Sequence, residues 1–166
     1  MPREAESKAT AVGERIFSDI MGPMETTGTG GAKYVITFVD EKTNFTRVFF
    51  LTQKSNTIQA WKFFAESVKN EGVTVRYLRT DNGGEYMSTE FQNDLKTRGI
   101  HHERTNPYSP NQNGKAERMN RTLMEMARTL LADAGMPKSF WVEAVKHAAY
   151  IRNRSPTRVV EHMTPL

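Results

Sequence analysis

The chain has 166 residues, 37% of them hydrophobic and 25% charged, with no cysteine and a net charge of +4. That length buries one core without staples, and the missing cysteine excludes a disulfide framework, a thiol nucleophile and the Cys-containing zinc sites. No apolar run approaches the roughly eighteen residues of a membrane span, and residues 1–6 lack the apolar core of a signal peptide, so the expected setting is intracellular.

Residues 1–12 mix charges without an apolar period and read as a frayed lead-in to one core domain over 13–158, with 159–166 as a truncated C-terminal segment. Ile16 to Met21, Tyr34 to Val39 and Phe45 to Leu51 are rich in β-branched and aromatic residues. Turn-forming Gly28-Thr29-Gly30-Gly31 and Asp40-Glu41-Lys42-Thr43-Asn44 separate them, which predicts three strands in an antiparallel meander. Ser55 to Asn70 carries Ile58, Trp61, Phe64, Ala65 and Val68 at helical spacing, with Ser55 as N-cap and Gly72 as the stop. Trp61, Phe63 and Phe64 are most simply core residues, as are Phe140 and Trp141.

Val73 to Arg79 reads as a fourth strand, Thr89 to Arg98 as a second helix ending at Gly99, and Ile100 to Arg104 as a short fifth strand. Two Pro and three Asn make 106–114 a loop. A long helix from Lys115 to Ala134 presents Met119, Leu123, Met126, Ala127 and Leu130 on one side, and a last helix runs from Ser139 to Asn153. Three strands followed by helix, strand, helix, strand predict an α/β layer structure with a mixed sheet.

The chain's basic excess is concentrated late: from Lys96 to Arg158 there are twelve Lys/Arg against five Asp/Glu. Such a field attracts polyanions and supplies phosphate contacts, although basic surface is often only solvated. Three acids stand where strands end or a helix begins. Asp19 precedes Ile20-Met21-Gly22-Pro23, Asp81 opens Asn82-Gly83-Gly84, and Glu117 lies thirty-five intervening residues later in the first turn of the long helix. Each has an ordinary alternative: Asp19 and Asp81 as turn residues, Glu117 as a helix-dipole partner or an ion pair with Arg121. Asp40 competes with Asp19 but sits in a hairpin turn. Together the acids suit a phosphoryl-transfer site, because magnesium and manganese prefer hard carboxylate oxygens and leave positions for water and phosphate. His101 and His102 point to opposite faces of a strand and do not share an ion easily; His147 and His162 have no partner in sequence.

Five ordered segments carry a resemblance: Asp19-Ile20-Met21-Gly22-Pro23, Thr37-Phe38-Val39-Asp40, Leu78-Arg79-Thr80-Asp81-Asn82-Gly83-Gly84-Glu85-Tyr86, the run from Pro107 to Leu123, and Asn153-Arg154-Ser155-Pro156-Thr157. They resemble the integrase core of Ty1/copia-type retrotransposons, within the retroviral-integrase and DDE-transposase superfamily, from about Gly13 to Pro165. The resemblance implies an RNase H-like fold with a five-stranded mixed sheet, three antiparallel strands then two parallel, flanked by helices. It implies that Asp19, Asp81 and Glu117 form a catalytic triad holding two Mg2+ or Mn2+ ions. Gln112, Asn113, Lys115, Arg118, Asn120 and Arg121 are the expected DNA contacts. The implied partners are element-end and target DNA and further copies of the chain as a dimer or higher oligomer, in the nucleus or a cytoplasmic virus-like particle, with no membrane or small-molecule substrate. The family also carries a His/Cys zinc module before the core and DNA-binding sequence after it, neither of which is seen in these residues. The remaining alternatives are another RNase H-like nuclease and a catalytically silent module that binds DNA or protein.

Overall fold

Ile16, Ser18 and Ile20 alternate with Arg15, Phe17 and Asp19 along the first strand, β1 (Arg15–Met21), so its two faces differ in what they can pack against. The structure, a computed structural model, describes residues 7–106, 113–161 and 163–166. β1 pairs antiparallel with β2 (Tyr34–Asp40), which pairs antiparallel with β3 (Thr46–Leu51). On its other side β1 pairs parallel with β4 (Tyr77–Thr80), and β4 pairs parallel with β5 (His101–Arg104). The order β3-β2-β1-β4-β5 is the expected five-stranded mixed sheet.

Helices cover both faces. α1 (Thr57–Asn70) and α2 (Thr89–Arg98) lie on the Ile16 face, where Trp61, Phe64 and Phe91 pack with Phe38, Leu78 and Tyr86. Trp61 is fully buried and its indole N–H donates to Asp94 Oδ2 at 2.8 Å. Its ring lies 5.8 Å from Phe91 and 6.0 Å from both Phe38 and Phe64. α3 (Gly114–Ala134) and α4 (Trp141–Arg154) cover the Phe17 face, with Met119, Leu123 and Ala148 packed against Phe17 and Val39. Among the described residues no helix is long and apolar enough to cross a membrane.

Several boundaries differ from the sequence expectation for local reasons. A 3-10 turn (Lys54–Asn56) precedes α1, so Ser55 does not cap it; the Thr57 hydroxyl donates to the Lys54 carbonyl instead. β4 begins at Tyr77, not Val73, because the Val73 amide bonds back to the Val68 carbonyl and closes the end of α1. The Arg76 and Tyr77 amides then both reach Glu14 O, which brings the chain alongside β1. The Ser88 hydroxyl caps α2 by accepting from the Phe91 amide. A second 3-10 turn (Lys138–Phe140) delays α4 to Trp141.

Phe63 is a correction: it is 68% exposed, with its ring edge-on to Phe49, because it falls off the Trp61/Phe64/Val68 stripe of α1. Asp40 is structural. Its carboxylate accepts from the Gly13 amide and from the Thr43 amide and hydroxyl, fixing the β2–β3 turn to the chain ahead of β1.

Candidate functional site

β1 and β4 run parallel with Phe17 opposite Arg79, so Asp19, two residues before the end of β1, and Asp81, one residue past the end of β4, come from adjacent strands. β1 also has β2 on its other side, antiparallel to it. The acids therefore sit at the point where the sheet changes direction, the crevice in which open α/β sheets bind ligands. α3 starts above this crevice, with Glu117 exposed in an otherwise largely buried first turn.

Two segments hold Asp81 in place. Its Oδ1 accepts the Gly83 amide at 2.9 Å, while the Asn82 side-chain amide donates to Thr105 O, just past β5. A Cβ at Gly83 would lie 2.6 Å from Glu85 Oε1 and 3.0 Å from Asp81 Oδ1, so the turn admits only glycine without displacing an acid.

Asp19 is held by α3. Asn120 Nδ2 donates to Asp19 Oδ2 at 3.0 Å, and Asn120 Oδ1 accepts the Thr37 hydroxyl at 2.8 Å. Asn113 Nδ2 donates to the Ser18 carbonyl, whereas Asn113 Oδ1 is buried without a partner. On the opposite face, the Ser18 hydroxyl and the fully buried Tyr86 hydroxyl are 2.9 Å apart. Burial pushes the Tyr86 phenol well above its ordinary value.

Asp19 feels the repulsion of the other two acids. Asp19 is pushed up to about 6, chiefly by burial, and further by the negative charges of Asp81 and Glu117; the Ile20 amide and Asn120 oppose the shift. Hard oxygen donors on a desolvated strand end match the preference of a divalent cation for carboxylates. In this side-chain arrangement, however, no three acidic or histidine groups among the described residues stand close enough to share one ion.

The expected DNA contacts divide on inspection. Arg118 and Arg121 are exposed on α3 beside Glu117. Asn120 corrects the expectation, because at 2% exposure it faces Asp19 and Thr37 and not a duplex. Asn113 is likewise 2% exposed. Lys115 is half-buried, and its ammonium donates to Glu41 O at 3.2 Å and to the Asn44 side chain, tying α3 to the β2–β3 turn. Burial lowers the Lys115 ammonium below its ordinary value. Gln112 and His162 lie outside the described residues.

Sequence reasoning missed a second layer under Asp81. Thr80 Oγ1, His102 and Gln92 form a bonded chain, with His102 Nε2 2.8 Å from Thr80 Oγ1 and Gln92 Nε2 2.8 Å from His102 Nδ1. Alternation correctly set His102 apart from His101, which is exposed, but gave no sign of what lay beneath.

Comparison with known proteins agrees with this architecture. The family described as "Integrase core domain" matches residues 9–110, and a second profile of the same description matches 98–134. The chain is 46% identical over 143 residues to the Retrovirus-related Pol polyprotein from transposon TNT 1-94 of Nicotiana tabacum, covering 86% of this chain and 11% of that protein. It is 34% identical over 153 residues to the Pol polyprotein from transposon RE2 of Arabidopsis thaliana, covering 92% of this chain and 10% of that protein. The chain thus spans about a tenth of the length of these curated relatives. Among solved structures, the simian T-cell lymphotropic virus intasome in complex with PP2A regulatory subunit B56 gamma superimposes at a TM-score of 0.77 with 21% identity. That match covers 99% of this chain and 57% of the other. The HTLV-2 integrase catalytic core domain in complex with magnesium (trimeric form) gives 0.71 with 18% identity, covering 95% and 97%. At these identities the two structures establish the fold, which is that of retroviral integrase cores.

Proposed function

Since this chain belongs to the integrase core domain family, we propose that it performs metal-dependent polynucleotidyl transfer, trimming the 3′ end of element DNA and joining that end to target DNA. The observation that carries this reading is the placement of Asp19 on β1, Asp81 just past β4 and Glu117 in the first turn of α3 around the switch point of the sheet. Asp19, Asp81 and Glu117 would hold two magnesium or manganese ions; the magnesium of the HTLV-2 core supports the same choice here. Bound there, the ions would lower the pKa of the attacking water or 3′-hydroxyl and neutralise charge on the departing oxygen.

In both steps an oxygen nucleophile attacks phosphorus in line with a departing 3′-oxygen, and no covalent bond to the protein forms. Asn120 and the Gly83 amide orient the two aspartates. Arg118 and Arg121, exposed beside Glu117, would bind the DNA backbone, contacts that carry little sequence information. Gln112 is proposed to position the DNA end, while Asn113, buried and bonded to the Ser18 carbonyl, anchors the start of α3 to β1. The intasome and trimeric form of the structural neighbours support DNA and further copies of the chain as partners.

A second reading has a specific observation in its favour: the Asp81 carboxylate is turned onto its own Gly83 amide, and among the described residues no three acidic or histidine groups close on one ion. A silent DNA-binding module would look the same. A branched oligonucleotide mimicking a strand-transfer product, incubated with manganese or EDTA beside Asp81→Asn and Glu117→Gln, separates the two. Metal-dependent nicking or resealing lost in both variants supports the enzyme. Activity surviving in both removes this triad, and equal binding without turnover in every sample selects the silent module.

A further inference from the structure

The Thr80–His102–Gln92 chain lies directly beneath Asp81, and its hydrogen bonds have one self-consistent direction. The Thr80 hydroxyl has a single hydrogen, and it is given to the Asp81 carbonyl at 2.7 Å. Thr80 Oγ1 therefore accepts from His102 Nε2, which must carry the ring proton. His102 Nδ1 is then a lone-pair acceptor and takes one hydrogen of the Gln92 amide; the other goes to the Tyr86 carbonyl at 2.8 Å. The ring also lies 6.3 Å from Phe91, on the same helix as Gln92.

The chain thus joins four pieces of the fold: the end of β4, β5, the start of α2, and the turn at Tyr86, whose hydroxyl reaches across to Ser18 beside Asp19. The segment it spans, 81–85, is the turn that carries Asp81. We propose that His102, as a neutral imidazole held in the Nε2–H form, is a positioning residue that fixes the Asp81 turn and so sets how readily Asp81 serves a divalent cation together with Asp19. This inference rests on the metal-dependent reading of the site. His102 touches neither substrate nor metal in it; it acts through Thr80 and through the Gln92–Tyr86 bond. Groups bonded behind metal ligands typically change metal affinity by about 10–100-fold when removed.

The test combines a metal-free measurement with a metal titration on the full chain. Long-range 1H–15N correlations distinguish a protonated ring nitrogen from a lone-pair nitrogen, and His102 is expected as Nε2–H. His102→Phe keeps a ring but removes both bonds. It is expected to speed amide exchange across 81–85 and weaken Mn2+ binding about tenfold, read by relaxation enhancement of water. His102→Gln, whose amide can donate to Thr80 and accept from Gln92, is expected to restore most of both losses, a rescue that mere filling of space does not produce. Gln92→Met provides an independent break should His102→Phe fail to fold, with the same expected effects.

An Nδ1–H ring overturns the proposal, as does unchanged exchange and Mn2+ affinity in His102→Phe or, should that variant not fold, in Gln92→Met. If the wild type binds no Mn2+ that Asp19→Asn abolishes, the metal reading itself fails. The ring tautomer and the 81–85 exchange rates then still decide whether His102 holds the turn.

Discussion

Asn120 Nδ2 donates to Asp19 Oδ2 at 3.0 Å while Asn120 Oδ1 accepts from the Thr37 hydroxyl at 2.8 Å, so one buried amide joins α3 to two strands and aims the first carboxylate. An amide suits this position because it donates to an anion and accepts from a hydroxyl at once. Asn120→Ala should raise Asp19 beyond its value of about 6, since the Asn120 bond is one of the contacts that lower it. It should also cost about 1–3 kcal/mol by leaving buried polar groups unpaired. Carboxyl-carbon NMR titration and urea denaturation check the two effects. An unmoved Asp19 titration would show that the bond does not orient the carboxylate in solution.

The pH dependence follows with a definite sign. A carboxyl group raised from 3.8 to about 6 on folding binds its proton more tightly in the native state, so it destabilises the fold once deprotonated. The penalty is absent below pH about 4, grows between about 4 and 6, and is constant above. Its ceiling is on the order of 3 kcal/mol at about 1.4 kcal/mol per pKa unit, reduced by the site's remaining solvent access. In EDTA, Asp19→Asn should therefore be more stable than the wild type at pH 7 and about equal at pH 4. Comparing the two chains cancels the contribution of every other titrating group. Urea midpoints across this range measure it, and a gap that widens toward low pH would contradict the assigned shift.

Much of this arrangement was legible in the sequence because period and turn chemistry agreed. β1, β2 and β3 stood out by β-branched residues between turn signals, and Asp19 and Asp81 were visible as acids near strand ends that glycine closes. What escaped was whatever depended on the opposite partner. Asn120 read as a surface residue three positions past Glu117, because nothing local shows that Thr37 and Asp19 lie opposite it on the sheet. Lys115 read as a phosphate ligand, because its bonds to Glu41 and Asn44 join residues more than seventy apart. Phe63 read as core because an aromatic run hides helical phase.

Lys115 and Arg121 offer a direct contrast in the basic surface. Arg121 is exposed on α3, so Arg121→Gln should weaken DNA binding and reduce the slope of log affinity against log salt by about 0.9 for duplex DNA, one phosphate contact's worth. Lys115→Met removes an ammonium already bonded to the β2–β3 turn. It should lower stability by about 1–2 kcal/mol and leave the salt slope nearly unchanged. Fluorescence anisotropy at several salt concentrations, paired with urea melts, separates the two. A full unit of slope lost in Lys115→Met would return it to the DNA-contact set.

Beneath the acidic crevice, the sheet is braced by charge as well as by packing. Glu103 on β5 accepts from Arg15 Nε at 3.0 Å and Nη2 at 3.1 Å, and pairs with Arg79 at 2.9 Å, while Glu41 holds Arg15 from the other side. The arginine planes also lie over aromatic rings, Arg15 4.7 Å from Tyr77 and Arg79 5.3 Å from Phe17. Both arginine side chains are below a tenth exposed, so neutralising the carboxylate they share takes one negative charge from a desolvated layer that holds two guanidinium groups, Arg15 keeping Glu41. Glu103→Gln preserves shape and some hydrogen bonding but not charge, and should destabilise the chain by about 3 kcal/mol, within the 3–5 kcal/mol typical of a broken buried pair. Because the group is largely shielded from solvent, the loss should change little between low and high salt. Guanidinium chloride screens charge, so urea melts at two salt concentrations are the suitable measurement. A loss below about 1 kcal/mol, the scale of an exposed pair, would mean that these arginines find water or other acceptors once Glu103 is neutral.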